Sequence, residues 1–403
     1  MKRRYRVLTA LLLVFIMGSA VSGCGADTDT ETGVPPYQIW EPLEPKDNAA
    51  AGDADDNSPE QADGAQDENA GQDAAGKDDK GQPGETVSDG NVTITISAAG
   101  DVTLGNHQNQ EYAYSFRQKY DEEGDAYFLE NVKDIFEDDD MTVVNFEGTL
   151  TYAEERRETT YNMKGDPSYI QILNDGSVEA VGANNHCMDY LQKGHDDTVD
   201  CFKEAGLTYA YDAVTGIYET KGIKIGLIAV NEVEQGAAVE KIIQSDIDSL
   251  REQDADLIIV CCHWGVESET QPEDYQMVLG RKCVDWGADL VLGSHPHVLQ
   301  GIELYQGKFI VYSLANFCFG GNRNPKDKDT MIFQQQFTFV DGVKQEDIVG
   351  RVIPCSVSSV KGLNDFRPTP AEGDEYTRIL QKIQDYSSPF GTYFDADGWY
   401  VAQ

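Results

Sequence analysis

The chain has 403 residues, with 71 Asp and Glu against 31 Lys and Arg and a formal net charge of −40. Affinity for a phosphate backbone or an anionic bilayer needs a basic surface, so this balance excludes a nucleic-acid binder and charge-driven adhesion to lipid. Eight cysteines are too few for a disulfide-stapled miniprotein. No repeat of roughly 20–50 residues marks a solenoid or propeller, and the length accommodates two or three domains.

Lys2, Arg3, Arg4 and Arg6 precede an apolar run at residues 7–17. That is the length of a signal-peptide core and falls short of the ~20 residues a membrane span needs. Small residues follow, and then Val21-Ser22-Gly23-Cys24, which resembles the bacterial lipobox. The resemblance implies removal of residues 1–23, lipidation of Cys24 and a place on the extracytoplasmic face of a bacterial cell membrane. An ordinary secretory signal with a chance cysteine is the alternative.

Residues 25–90 carry 18 acidic and 3 basic residues and are dominated by Ala, Gly, Asp, Gln and Asn. Such a stretch cannot bury enough apolar surface to offset chain entropy, so residues 24–90 read as a lipidated cysteine and a disordered acidic linker. Seven cysteines follow Cys24, an odd number with no CxxC pair, and they read as mostly free and structural.

From residue 91 onward strand and helix patterns alternate. Strands are expected at residues 91–99, 141–146, 177–182, 223–230, 257–262, 289–292 and 309–314. Helices are expected at 197–205, ending at Gly206, and at 273–286. Residues 332–340 and 348–357 read as a hairpin with Asp341-Gly342 as its turn signal, and 375–384 as a final helix. The pattern is that of an α/β fold.

The polar residues sit where such sheets place their sites. Asp101, Asn145 and Glu147, Asn185 and His186, His263, His295 and His297, and Asn316 all lie at or just past an expected strand end. Carboxylates, an amide oxygen and imidazoles together suit Zn²⁺, Mn²⁺ or Fe better than Ca²⁺ or Mg²⁺. A bridging oxygen can hold two such ions ~3.5–4 Å apart. Each residue also has a bland role. Asp101 can cap a helix, Asn184 and Asn185 can form turns, and His263 can be a core imidazole. Glu147 and Asn316 divide evenly between site and structure. His295 and His297 flank Pro296 and point to one side if the segment is extended. His107 and His195 lie off this set and read as surface residues.

Six segments occur in order: Gly100-Asp101-Val102, Asn145-Phe146-Glu147-Gly148, Ala183-Asn184-Asn185-His186-Cys187-Met188-Asp189-Tyr190, His263-Trp264-Gly265, Gly293-Ser294-His295-Pro296-His297 and Ser313-Leu314-Ala315-Asn316-Phe317. Together, over roughly residues 92–320, they resemble the CapA family of bacterial capsule and poly-γ-glutamate biosynthesis proteins. That family is similar in turn to calcineurin-like metallophosphoesterases. The resemblance implies a four-layer α-β-β-α sandwich at residues 91–360, with residues 361–403 as a C-terminal extension packed on it. It implies one or two divalent ions, Mn, Zn or Fe, held by Asp101, Glu147, Asn185, His263, His295 and His297. His186 is the catalytic candidate, and Asn145, Asn184 and Asn316 lie behind the ligands or near substrate. An anionic polymer or phosphoester substrate and a capsule synthase complex are the implied partners. Three features depart from the phosphoesterase pattern: Thr103 stands where the first motif has His, the second motif lacks the simple G-D-x-x-D form, and Cys187 follows His186 where an acid is usual.

Overall fold

The computed structural model describes residues 90–183, 185–211 and 214–403. The signal-like segment, Cys24, the acidic stretch up to residue 89 and Asn184 lie outside the described residues.

Two large sheets organise the fold. The first has the strand Asn91–Thr103 near its middle. Met141–Phe146, Ala180–Ala183 and Thr208–Ala210 follow on one side, each parallel to its neighbour. Asp329–Val340 and then Val349–Ser356 add antiparallel on the other. The second sheet runs Ile302–Tyr305, Lys308–Val311, Leu290–Ser294, Leu257–His263, Ile223–Asn231, Gly216–Thr220. Three short strands, Asn106–His107, Met163–Gly165 and Thr149–Leu150, make a small third sheet.

Alternation along each strand stacks these pieces into layers. Leu257, Ile259 and Cys261 join Ile94, Ile96, Ala98, Ile225 and Leu227 in a core between the two sheets. Ile258, Val260 and Cys262 face the other way, onto Ile243, Ile247 and Leu250 of the helix Val239–Glu252 and Leu279 and Cys283 of the helix Asp274–Trp286. On the outer face of the first sheet Val144, Phe146 and Val181 pack with Phe128, Phe136 and Phe202. The order is helix, sheet, sheet, helix, as expected. It explains why residues 257–262 are apolar without interruption, since both faces of that strand are covered.

Boundaries moved where tertiary pairing decides them. The first strand continues through Asp101 to Thr103, because Asp101 pairs with Asn145 on one side and Asn316 on the other. Asp101 is therefore inside a sheet and caps no helix. The strand expected at 177–182 is Ala180–Ala183, and the helix expected from 197 begins at Leu191. Asp341 and Gly342 have φ of 51° and 77°, the left-handed pair that suits a tight hairpin turn. They lead into the two-residue strand Val343–Lys344, and Val349–Ser356 pairs with the same partner beyond it. His107 is 3% exposed, against the surface reading. It sits in the small sheet with its ring edge-on to Tyr161. No disulfide joins the seven cysteines among the described residues, and all seven are buried. No helix among them is long and apolar enough to cross a membrane.

The helix Gly373–Ser387 sends Ile379 and Ile383 into the inter-sheet core. Arg378 and Lys382 on its flank bind Asp329 at 2.6–2.8 Å. Burial alone would raise the Asp329 carboxyl, but these cations outweigh it and hold it below the ordinary 3.8. A depressed folded-state pKa means stability that is present above about pH 4 and is lost as pH falls through the folded value. Asp329→Asn is expected to cost about 1–2 kcal/mol at neutral pH, a figure kept low because Arg378 is half exposed. It should also flatten the acid limb below about pH 4. Urea unfolding of both proteins between pH 3 and pH 7 measures this.

Candidate functional site

Neighbouring strand ends of the two sheets deliver the site. Asp101 is fully buried. Its Oδ1 accepts a 2.7 Å hydrogen bond from Asn145 Nδ2, and its backbone N–H donates to Ala315 O at 2.9 Å. Asn145 thus spends its amide N–H on orienting Asp101. Asp101 Oδ2 lies 3.1 Å from His297 Nδ1. Glu147 is 1% exposed, and its Oε1 lies 3.7 Å from both His186 Nε2 and His297 Nε2. Asp101, Glu147 and His297 each offer a ligand atom within 4.8 Å of the others.

The remaining histidines continue from this trio. The ring of His295 is 5.9 Å from that of His297 and 4.8 Å from that of His263, centroid to centroid. His263 Nδ1 is 3.0 Å from Ser294 Oγ. His186 Nδ1 is 2.7 Å from Asp189 Oδ2. Asn316 clamps His297 twice, with Oδ1 2.9 Å from Nδ1 and Nδ2 donating to the His297 carbonyl at 3.2 Å. Anchoring one ring nitrogen aims the other, which is how metal-ligating imidazoles are usually held.

His295 and His297 do not lie in an extended segment. Their φ values are 96° and 58°, and Ala315 opposite has 64°. Both rings still turn to the cluster, but left-handed backbone brings them there rather than period-two alternation. Such conformations cost on the order of 1–3 kcal/mol each in a non-glycine residue and concentrate at functional sites.

Five buried polar atoms of the expected site residues lack a hydrogen-bond partner among the described residues: Glu147 Oε2, Asn185 Oδ1, His263 Nε2, His295 Nδ1, and Asp101 Oδ2, whose one contact is the ion pair with His297 Nδ1. An unpaired buried polar atom costs roughly 1–3 kcal/mol and calls for an explanation. Three oxygens and two imidazole nitrogens are the donor set of a Mn, Fe or Zn site, so the residues present fit a divalent ion.

The electrostatics agree. Burial pushes Glu147 up to about 7 despite His297. Burial pushes His297 down, but Glu147 and Asp101 outweigh it and raise it to about 10. Burial and then the neighbouring imidazoles lower His295 to about 4 and take His263 well below its ordinary value. The carboxylate side of the cluster attracts positive charge, while the two neutral imidazoles keep lone pairs to donate. Exposed Glu267 adds negative charge felt by Glu147, His295 and His297.

The structure therefore brings together Asp101, Asn145, Glu147, His186, His263, His295, His297 and Asn316, and Asn185, next to His186 in the chain, has a buried side-chain oxygen. Asn184 lies outside the described residues. Sequence reasoning missed Asp189 and Ser294, which hold His186 and His263. Asp189 had one signal, its place three residues after His186, within one turn.

A comparison with known proteins gives the family. The family described as "Bacterial capsule synthesis protein PGA_cap" matches residues 95–321. The PGA biosynthesis protein CapA of Bacillus subtilis (strain 168) is 30% identical over 248 residues, 56% of this chain and 63% of that one. The capsule biosynthesis protein CapA of Bacillus anthracis is 27% identical over 256 residues, 57% of this chain and 60% of that one. The alignments thus span about three-fifths of the length of those relatives. Among solved structures, Haemophilus influenzae NAD nucleotidase aligns over 73% of this chain and 56% of that one, at 14% identity and a TM-score of 0.36, a likeness too remote to bear on function. The PGA_cap match covers more than half of the chain and encloses every residue of the cluster, and the chain belongs to that family of bacterial capsule synthesis proteins.

Proposed function

We propose that the chain serves capsule-polymer synthesis or export at the bacterial envelope, poly-γ-glutamate being the polymer, and that it works through a resident divalent metal site. The observation that carries the metal site is the buried Asp101, Glu147 and His297 group, whose ligand atoms lie within 4.8 Å of one another, with further buried oxygen and imidazole atoms of the site residues unpartnered among the described residues. The polymer comes from the family and from what its relatives are called. Tethering would come from a lipid on Cys24, with the acidic segment as spacer, and the partner would be a capsule synthase complex.

Asp101, Glu147, Asn185, His263, His295 and His297 would hold one or two ions of Mn, Zn or Fe. When bound, the metal supplies Lewis acidity toward a phosphoester or polymer oxygen and a more acidic water. The chain's own residues do the rest. Asn145 and Asn316 fix Asp101 and His297. His186, anchored through Nδ1 by Asp189, presents Nε2 toward Glu147 and is placed to hold or hand over a proton there. Asn316→Ala should weaken metal affinity about 10–100-fold, since an outer partner that aims a ligand has that effect. Titration of the full-length chain with Mn²⁺ or Zn²⁺ reads it directly.

Thr103 and Cys187 favour a second reading, in which the metal is structural and the chain binds polymer without cleaving it, as a scaffold of an envelope complex. Metal-loaded full-length chain is assayed on bis(p-nitrophenyl) phosphate and on poly-γ-glutamate. Turnover lost in His186→Ala supports hydrolysis. Metal binding without turnover of either supports the scaffold.

A further inference from the structure

A cavity of about 670 Å³ opens beside the small three-stranded sheet, and none of the cluster's carboxylates or histidines lines it. Lys164, Gly165 and Tyr190 line it. Their chain neighbours Met163 and Asp189 are joined by a hydrogen bond, and Asp189 anchors His186. The cavity is thus adjacent to the metal cluster and separate from it.

Its polar lining is only partly used. Gln110 is 7% exposed, and both Oε1 and Nε2 of its amide lack a partner among the described residues. Nearby Gln108 is fully engaged, donating to Thr160 O and accepting from Asn162 N. Asn106 takes the Arg117 backbone N–H on its Oδ1, while its buried Nδ2 has no partner among the described residues. A buried amide with donor and acceptor both open matches another amide, which offers the reciprocal pair.

The charges point the same way. Arg117, Arg156 and Lys164 line the cavity, while residues 91–403 carry 53 acidic against 24 basic residues. Arg117 and Arg156 are exposed. The Arg117 guanidinium lies 5.7 Å over the Tyr112 ring, and among the described residues no carboxylate pairs with Arg156, although adjacent Arg157 is taken by Glu234. Of the three acids lining the cavity, Asp121 and Asp166 accept the hydroxyls of Tyr112 and Tyr152, and Glu154 remains exposed. Those two tyrosines are 46% and 72% exposed and offer flat walls to an extended chain.

We propose that this cavity binds a short stretch of an acidic polyamide, with an amide of the ligand paired to Gln110 and its carboxylates at Arg117 and Arg156. The inference rests on the capsule-polymer reading for its probe and is independent of the metal. It also explains how so acidic a protein can hold a polyanion: the contact is local, since long-range attraction is lacking.

The test is fluorescence anisotropy of a labelled γ-linked glutamate decamer titrated with the full-length chain in EDTA, so that failure of the metal reading cannot mimic failure of this one. An α-linked decamer run alongside tells which linkage is preferred. Saturable binding is expected, weakened at least about tenfold in Arg117→Gln/Arg156→Gln, as expected for losing two charge-assisted contacts. Gln110→Leu should weaken it with the melting temperature retained. Absence of saturable binding, or an unchanged affinity in the double arginine variant, overturns the proposal. So does equal competition by polyacrylate, which lacks amides, or by a neutral maltooligosaccharide.

Discussion

Glu147→Gln is expected to lower the divalent-metal affinity of the full-length chain by about a hundredfold or more while leaving the metal-free protein as stable as wild type, or more so. Loss of an outer-shell partner costs 10–100-fold, so removing a ligand charge belongs at the top of that range or beyond. The two halves of the prediction share one cause. Glu147 is buried, one oxygen lies midway between two imidazoles at 3.7 Å, and the other oxygen is unpaired. Without a metal, that carboxylate is a desolvated charge with incomplete compensation, which a neutral isostere relieves. Isothermal titration with Mn²⁺ or Zn²⁺, paired with thermal melts in EDTA, separates the effects. A variant that loses stability in EDTA and keeps its metal affinity would place Glu147 in the scaffold.

Gly100→Ala is expected to destabilise the fold by about 3 kcal/mol, lowering the melting temperature by roughly 5 °C or more. A Cβ at Gly100 would stand 1.9 Å from Ala315 O. That carbonyl accepts the Asp101 N–H, and the next residue, Asn316, clamps His297. The obstacle is backbone, so no rotamer change relieves it. The substitution must push apart the two segments that bring Asp101 and His297 together. Gly182→Ala is the milder comparison, because the nearest neighbours of its added Cβ are side-chain atoms, Cys261 Cβ at 3.2 Å and Sγ at 3.5 Å and Ala229 Cβ at 3.5 Å. Circular-dichroism melts of both variants check the order, and Gly100→Ala should also weaken metal binding.

The alternation of strands and helices was legible from the apolar pattern, whereas the four-layer order was implied by the family resemblance. The uninterrupted apolar run at 257–262 read as a strand, which the structure covers on both faces, and the positions of Asp101, Glu147, His263 and His295 at or just past expected strand ends pointed to one site. What could not be read depends on partners distant in sequence. The first strand runs on past Gly100 because residues 145 and 316 pair with Asp101. The left-handed φ of His295 and His297 is imposed by the surroundings of a loop, and no local pattern announces it. Ser294 and Asp189 acquire their roles only when folding sets them 3.0 and 2.7 Å from an imidazole nitrogen. His107 looked like a surface residue because its strand is two residues long, too short to carry any periodicity.

The most direct measurement is elemental analysis of the purified full-length chain, wild type beside His295→Ala/His297→Ala, with folding of both checked by circular dichroism. One or two equivalents of Mn, Fe or Zn per wild-type chain, lost in the variant, is the expected result. A well-folded wild type that takes up none of these ions after incubation with each, or a variant that holds as much as wild type, would contradict the metal site at the centre of this account.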